Sequence, residues 1–148
     1  MSGRFEAIVE IQRPIEEVFA FLANGENDPK FSPRVIRIAK TTQGPTGVGT
    51  VYASTVKDAG LTTERQFRIT EFQAPTRIRW AEVSKNLVTA KEGGYDLETT
   101  GSGSTRVRIF NQLEGHGIGK AVVRLALSAA RKDGNAFGQR IKAAVESS

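Results

Sequence analysis

The stretch from about Ile118 to Val145 constrains the fold more than any other part of the chain. It contains no proline, is rich in alanine, and places Val123, Leu127, Ala130, Gly134, Phe137, Ile141 and Val145 at successive spacings of 4, 3, 4, 3, 4 and 4. That is one face of a helix. Lys120, Arg124, Arg131, Lys132, Arg140, Lys142 and Glu146 fall beside or behind this stripe. A helix this long with one apolar face needs an apolar surface of matching length, and a sheet supplies one. Asp133-Gly134-Asn135 is the expected weak point, where the helix can kink. Gly134 in the stripe either lets helix and sheet approach closely or leaves room for a ligand. A second apolar set, Ile118, Val122, Leu125, Ala126 and Ala129, lies well around the first half from the stripe. It predicts a second cover there: the 24–33 segment, a cavity mouth, or another subunit.

The preceding residues read as strands with one early helix. RFEAIVEIQ (4–12) is the first strand, with Phe5, Ile8 and Ile11 as its apolar points. Pro14 then sits at a first helical turn, and Glu16 and Glu17 suit the positive end of the helix dipole. Ile15, Val18, Phe19 and Leu22 carry that helix to about Ala23, where Asn24-Gly25 stops it. NGENDPKFSP allows at most a short irregular helix around Phe31. VIRIAKT, with Val35 or Ile36 and Ile38 inward, is a strand, and QGPTGVG a hairpin loop. GTVYASTV, ERQFRITEF, RIRWAEV, VTAKEGGYDLET and TRVRIFNQLE come next as strands, separated by turns at KDAGLTT, Ala74-Pro75-Thr76 and GSGS. Ile78 and Trp80 share one face against Arg77, Arg79 and Ala81. Val107, Ile109, Asn111 and Leu113 oppose Arg106, Arg108, Phe110 and Gln112. Gly93-Gly94 is the expected bulge. Short turns between such strands give an antiparallel meander, hence an α+β domain of about seven strands with a long C-terminal helix, one domain over 1–148.

Charge and composition narrow the function classes. Cysteine is absent and His116 is the only histidine, which removes thiolate nucleophiles and a multi-histidine metal site. No metal or cofactor is expected. The net charge is +5, and residues 101–148 hold eight Lys/Arg against three Asp/Glu, while the first two thirds are balanced. The basic residues are spaced, and no aromatic residues are interleaved among them for base stacking, so no nucleic acid is expected. The N-terminus has no signal-like apolar run and no stretch spans a bilayer. The expectation is a cytoplasmic protein without integral membrane association, monomeric or homodimeric.

The order strand, helix, short helix, six strands, long helix resembles the START-like (SRPBCC) superfamily. That superfamily includes Bet v 1-like proteins, lipid-transfer START domains and the polyketide cyclase/dehydrase-like group. The resemblance rests on EIQRPIEEVFAFLAN, GVGTVY, RITEFQAPTRIRW, GYDLETTGSGSTRVRI and the final helix. It is nearest the polyketide cyclase-like group, in which a first strand is followed by proline and an acidic helix start. It implies a helix-grip fold, a curved antiparallel sheet around the long helix, with a cavity between them.

Such a cavity would be lined by the large amphipathic residues at inward positions: Tyr52, Phe67, Trp80 and Tyr95, with Asn111 interrupting an apolar run. These are the expected ligand contacts, although the aromatics suit ordinary core packing equally and a backbone group can satisfy Asn111. His116 in GHGIGK reads as an exposed loop histidine, and GHGIGK departs from a phosphate loop because Ala121 comes after Lys120. The residues leave three functions open. One is a carrier of a small hydrophobic molecule such as a lipid, polyketide-like or aromatic metabolite. A second is a cyclase/dehydratase-type enzyme with Tyr52, Glu71 or Tyr95 as acid–base groups. Glu71 is the discriminating residue: inward by the parity of Phe67 and Ile69, outward if Phe72 marks a bulge. The third is an interaction domain using the basic helix, with salt-dependent binding.

Overall fold

A computed structural model describes residues 2–58 and 60–148. Strand β1 (Ser2–Ile11) leads through Pro14 into helix α1 (Ile15–Ala23) and the 3₁₀ helix η1 (Gly25–Lys30). Strands β2 (Val35–Lys40), β3 (Val51–Asp58), β4 (Leu61–Gln73), β5 (Arg77–Glu82), β6 (Val88–Thr100) and β7 (Ser104–Gly115) precede helix α2 (Gly119–Glu146). The strands form one antiparallel sheet in the order β1-β7-β6-β5-β4-β3-β2. This is the helix-grip arrangement. The expected KDAGLTT turn falls on Ala59, outside the described residues.

Local chemistry explains the early elements. Pro14 caps α1 from an extended conformation, with Glu16 and Glu17 in the first turn, where the dipole favours them. Asn24 ends α1 and its side chain accepts from Glu26 N at 3.1 Å, starting η1. Phe31, just beyond η1, is buried against the rings of Phe21 and Phe137. The hinted short helix therefore exists because one aromatic anchors it.

Helix α2 packs its stripe on β1 and β7. Val123, Leu127, Ile141 and Val145 are buried with Phe5, Val9, Ile11, Val107 and Ile109. At Gly134 an added Cβ would stand 3.6 Å from the Phe5 ring, and at Gly138 3.3 Å from Val9. Gly134 thus serves close helix–sheet approach. The helix continues through Asp133–Asn135, where Arg140 Nη2 holds Asp133 at 2.6 Å and Arg140 Nε donates to Phe31 O at 3.0 Å. The side-chain bridge offsets the weak local propensity and ties α2 to the end of η1. Among the described residues the second apolar set has no cover: Ile118, Val122 and Leu125 are exposed, and η1 packs on β2 and α1.

Three register irregularities interrupt the ladders, one of them in β2 between Val35 and Arg37, and the other two decide which site residues face the helix side. The bulge in β6 lies between Ala90 and Glu92, not at Gly93-Gly94, which pair in register with Asn111 and Phe110. A second interrupts β4 between Ile69 and Glu71. One extra residue reverses the parity of every position beyond it in the strand.

Candidate functional site

The concave wall is assembled by register. Tyr52 of β3 stands opposite Phe67 of β4, Ile69 opposite Trp80 of β5, and Ile78 opposite Tyr95 of β6. Trp80 pairs with Gly93, and Gly93 with Asn111 of β7. Paired residues share a face, so the five expected ligand contacts converge on one surface. Phe67, Trp80 and Asn111 remain only half-buried although they face the concave side, whereas Tyr52 and Tyr95 are buried.

Asn111 finds its partner in a side chain. Trp80 Nε1 donates to Asn111 Oδ1 at 3.2 Å, and the Trp80 and Tyr95 rings meet edge-on at 5.1 Å. Gly93 makes this bond possible. A Cβ there would lie 2.2 Å from Asn111 Oδ1 and 2.4 Å from Trp80 Nε1. In place of the expected bulge, Gly93 is a slot through which two strands' side chains reach each other. Asn111 Nδ2 keeps its donors free of any bond among the described residues.

The three candidate acid–base residues separate. The Tyr52 hydroxyl lies 2.9 Å from Thr46 Oγ1 and donates at 3.4 Å to Ala23 O, pinning the β2–β3 connection to the end of α1. Of the two orientations open to Glu71, the β4 bulge selects the outward one, with its side chain 47% exposed and 3.7 Å from Arg77 Nη1. Phe72 takes the inward position and packs on Phe19 at 5.3 Å. Tyr95 stays inside. Burial pushes its phenol well above the usual value, and the nearby Asp28 charge pushes it further.

Two interior carboxylates were not anticipated from the sequence. Asp28 of η1 is raised to about 7 by burial, and its side chain bonds to nothing among the described residues. No periodicity flags it, because η1 is irregular. Glu82 continues the parity of Ile78 and Trp80, a signal available in the sequence. Its side chain is 0% exposed, 3.0 Å from Arg65 Nη1. It also accepts from Ala90 N at 3.0 Å, Ser84 Oγ at 2.7 Å and Asn86 Nδ2 at 2.8 Å. Fully satisfied, Glu82 closes the β5–β6 connection. On β3, Ser54 Oγ is buried with no partner among the described residues.

The outer face is a charge lattice. Phe110 points outward, as expected, yet is buried beneath the guanidinium groups of Arg4, Arg79 and Arg108, 4.0 to 5.2 Å from its centroid. Arg79, also outward, is buried there and holds Asp96 at 2.8 Å. Burial pushes the Asp96 carboxyl up, but hydrogen bonds from Arg79 and Arg108 bring it below the ordinary value. A surface depression of about 540 Å³ lies on this face beside Arg77, Asp96, Arg106 and Arg108. Its charges satisfy one another. His116 is exposed, its Nε2 2.8 Å from Thr89 Oγ1.

A curved sheet gripping a long helix, with an aromatic and polar concave wall, defines a helix-grip protein. The chain belongs to the family described as polyketide cyclase / dehydrase and lipid transport, whose model matches residues 2–146. It is similar in structure to the Zhui aromatase/cyclase from Streptomyces sp. R1128, with a TM-score of 0.82, 16% identity, and coverage of 99% of this chain and 94% of that one. A START superfamily protein from Mycobacterium smegmatis matches with a TM-score of 0.78 and 15% identity over 97% of both chains. Ara h 8.0201 matches with a TM-score of 0.67 and 17% identity over 100% of both chains. At these identities the likeness shows the fold alone. No curated protein matches by sequence. No helix among the described residues is long and apolar enough to cross a membrane.

Proposed function

We propose that the chain binds a small, largely apolar molecule carrying a few oxygen functions, held against the concave face between β3–β7, α1–η1 and α2. One observation carries this reading. Ser54 Oγ is buried with no hydrogen-bond partner among the described residues, and the half-buried Asn111 and Asp28 carry polar atoms on the same side of the sheet as the buried Tyr95. Interior polar groups are rarely left unsatisfied, because each costs free energy unless a ligand or water meets it. Phe67, Ile69, Trp80 and Leu113 supply the apolar remainder of the wall. The outward turn of Glu71 favours a carrier.

A second reading, a cyclase/dehydratase-type reaction, is favoured by Asp28 and Tyr95. A carboxyl near 7 is partly ionised at neutral pH, while the phenol keeps its proton. Asp28 would take a proton from the carbon next to a carbonyl. That carbon would then attack a second carbonyl, whose oxygen takes the Tyr95 proton.

Native mass spectrometry with solvent extraction of the purified protein tests the proposal. A co-purifying apolar molecule, retained less by Trp80→Ala and Tyr95→Ala, supports binding. A ligand at about 100 times its Kd adds about 2.7 kcal/mol of stability, several degrees of Tm. An empty protein whose Tm no apolar library shifts sinks both readings. Turnover of a bound polyketone, lost in Asp28→Asn with binding kept, selects the enzyme.

A further inference from the structure

Strands β5 and β6 stay paired only as far as Trp80 and Gly93. Beyond that point they part, and Arg65 of β4 bridges the split. Its side chain faces the concave side, because it stands two residues from Phe67, which lies opposite Glu82. Arg65 Nη1 donates to Glu82 Oε1 at 3.0 Å, to Glu82 Oε2 at 3.2 Å and to Val88 O at 2.9 Å. A single nitrogen thus makes the whole bridge, which the point charge of a lysine would serve equally well. The other edge of the planar guanidinium, Nε and Nη2, has no acceptor among the described residues, and the Arg65 side chain is 22% exposed.

A second, independent observation lies across the strand pair. Ser54 of β3 stands directly opposite Arg65, which sets their Cβ atoms about 5 Å apart on one face. Ser54 is 3% exposed, and its Oγ has no partner among the described residues. A buried hydroxyl and an unused guanidinium edge therefore border one spot. From there the inward residues of β4 are Phe67 and Ile69, with Trp80 opposite Ile69. They make an apolar track of about 13 Å, four residues of strand. The surrounding charges leave the spot to an acceptor. Glu82 holds only the Nη1 edge, and Ala90 N, Ser84 Oγ and Asn86 Nδ2 share its charge. Glu64 takes the opposite face of β4, bonded to Thr55 Oγ1 at 3.0 Å, and Glu71 turns outward to Arg77. Among the described residues no other acid of β3–β5 faces the spot. The two oxygens of a carboxylate match the Nε–Nη2 edge bidentately, and a hydroxyl beside them donates to one.

We propose that Arg65 and Ser54 form the polar end of the concave site and select a ligand with a carboxylate head and an apolar body lying along Phe67, Ile69 and Trp80. The proposal rests on the binding reading above and names the class of molecule that site takes.

Titration calorimetry of the full chain with decanoic acid, decanol and methyl decanoate tests it at about pH 7, where the acid is ionised. The acid should bind at least about tenfold more tightly than the alcohol or the ester. Arg65→Lys keeps a cation on Glu82 and removes the fork, so it should weaken the acid about tenfold and leave decanol unchanged. Ser54→Ala should weaken the acid about fivefold without lowering the Tm, since the free protein loses no bond. If Arg65→Lys does not fold, Arg65→Met combined with Glu82→Gln removes both charges of the bridge and carries the same expectation. Equal affinity for the three compounds, or a preference for the acid that survives loss of the fork, overturns the anchor and leaves concave binding standing. Failure of all three to bind also overturns the anchor, whereas co-extraction of a different apolar molecule with the purified protein would keep the carrier reading.

Discussion

Replacing Asp28 with asparagine should stabilise the protein in a way that depends on pH. In the folded chain, burial holds the Asp28 carboxyl at about 7 against a reference of 3.8. A carboxyl whose folded value is raised keeps its proton in the native state while the unfolded chain gives it up. Below about pH 4 both states are protonated and the group costs nothing. Between about pH 4 and pH 7 stability falls by up to ~1.4 kcal/mol per unit, then levels off. The full difference sets a ceiling of about 4 kcal/mol. Asp28→Asn removes the titration and preserves the shape. Urea unfolding monitored by Trp80 emission, at pH steps from about 4 to about 8, measures the difference between variant and parent. It should be near zero in acid and grow toward neutrality. A constant difference across that range would refute the placement of the carboxyl in the interior. A tightly bound neutral ligand should raise the value further, because it excludes the remaining water.

Gly93→Ala forces a methyl into the Trp80–Asn111 bond. It should cost about 1–3 kcal/mol in urea unfolding and shift Trp80 emission, since the indole loses its acceptor. Glu82→Ala leaves Arg65, Ser84 and Asn86 without their shared acceptor. A loss of about 3–5 kcal/mol is expected by thermal unfolding, and a loss below about 1 kcal/mol would mean the network is incidental.

Much of the architecture was legible because it rests on local periodicity. The 4-3 recurrence from Val123 to Val145 named the buried face of α2, and alternation in RIRWAEV and TRVRIFNQLE named the faces of β5 and β7. The proline turn, the acidic start of α1 and the meander arise from backbone preferences that neighbouring residues express without tertiary help. Tyr52, Phe67, Trp80, Tyr95 and Asn111 reach one surface because strand parity is an intrinsic property of each strand.

The remainder was decided by packing between distant segments. One inserted residue in β4 sent Glu71 outward and Phe72 inward, and the apolar hint at Phe72 does not fix where pairing slips. Gly93 looked like a bulge because only Trp80 and Asn111, from two other strands, explain its missing side chain. Arg79 and Phe110 had the right orientation but an unforeseen burial, since each covers the other across the outer face. Asp28 carried no periodic signal at all: η1 is irregular, and the anchoring of Phe31 against Phe137 holds that segment over the concave side. Neighbouring residues set which way each side chain faces within its own element. The partner standing opposite is a property of the folded chain, because burial, pKa and hydrogen-bond satisfaction belong to pairs of segments far apart in the sequence.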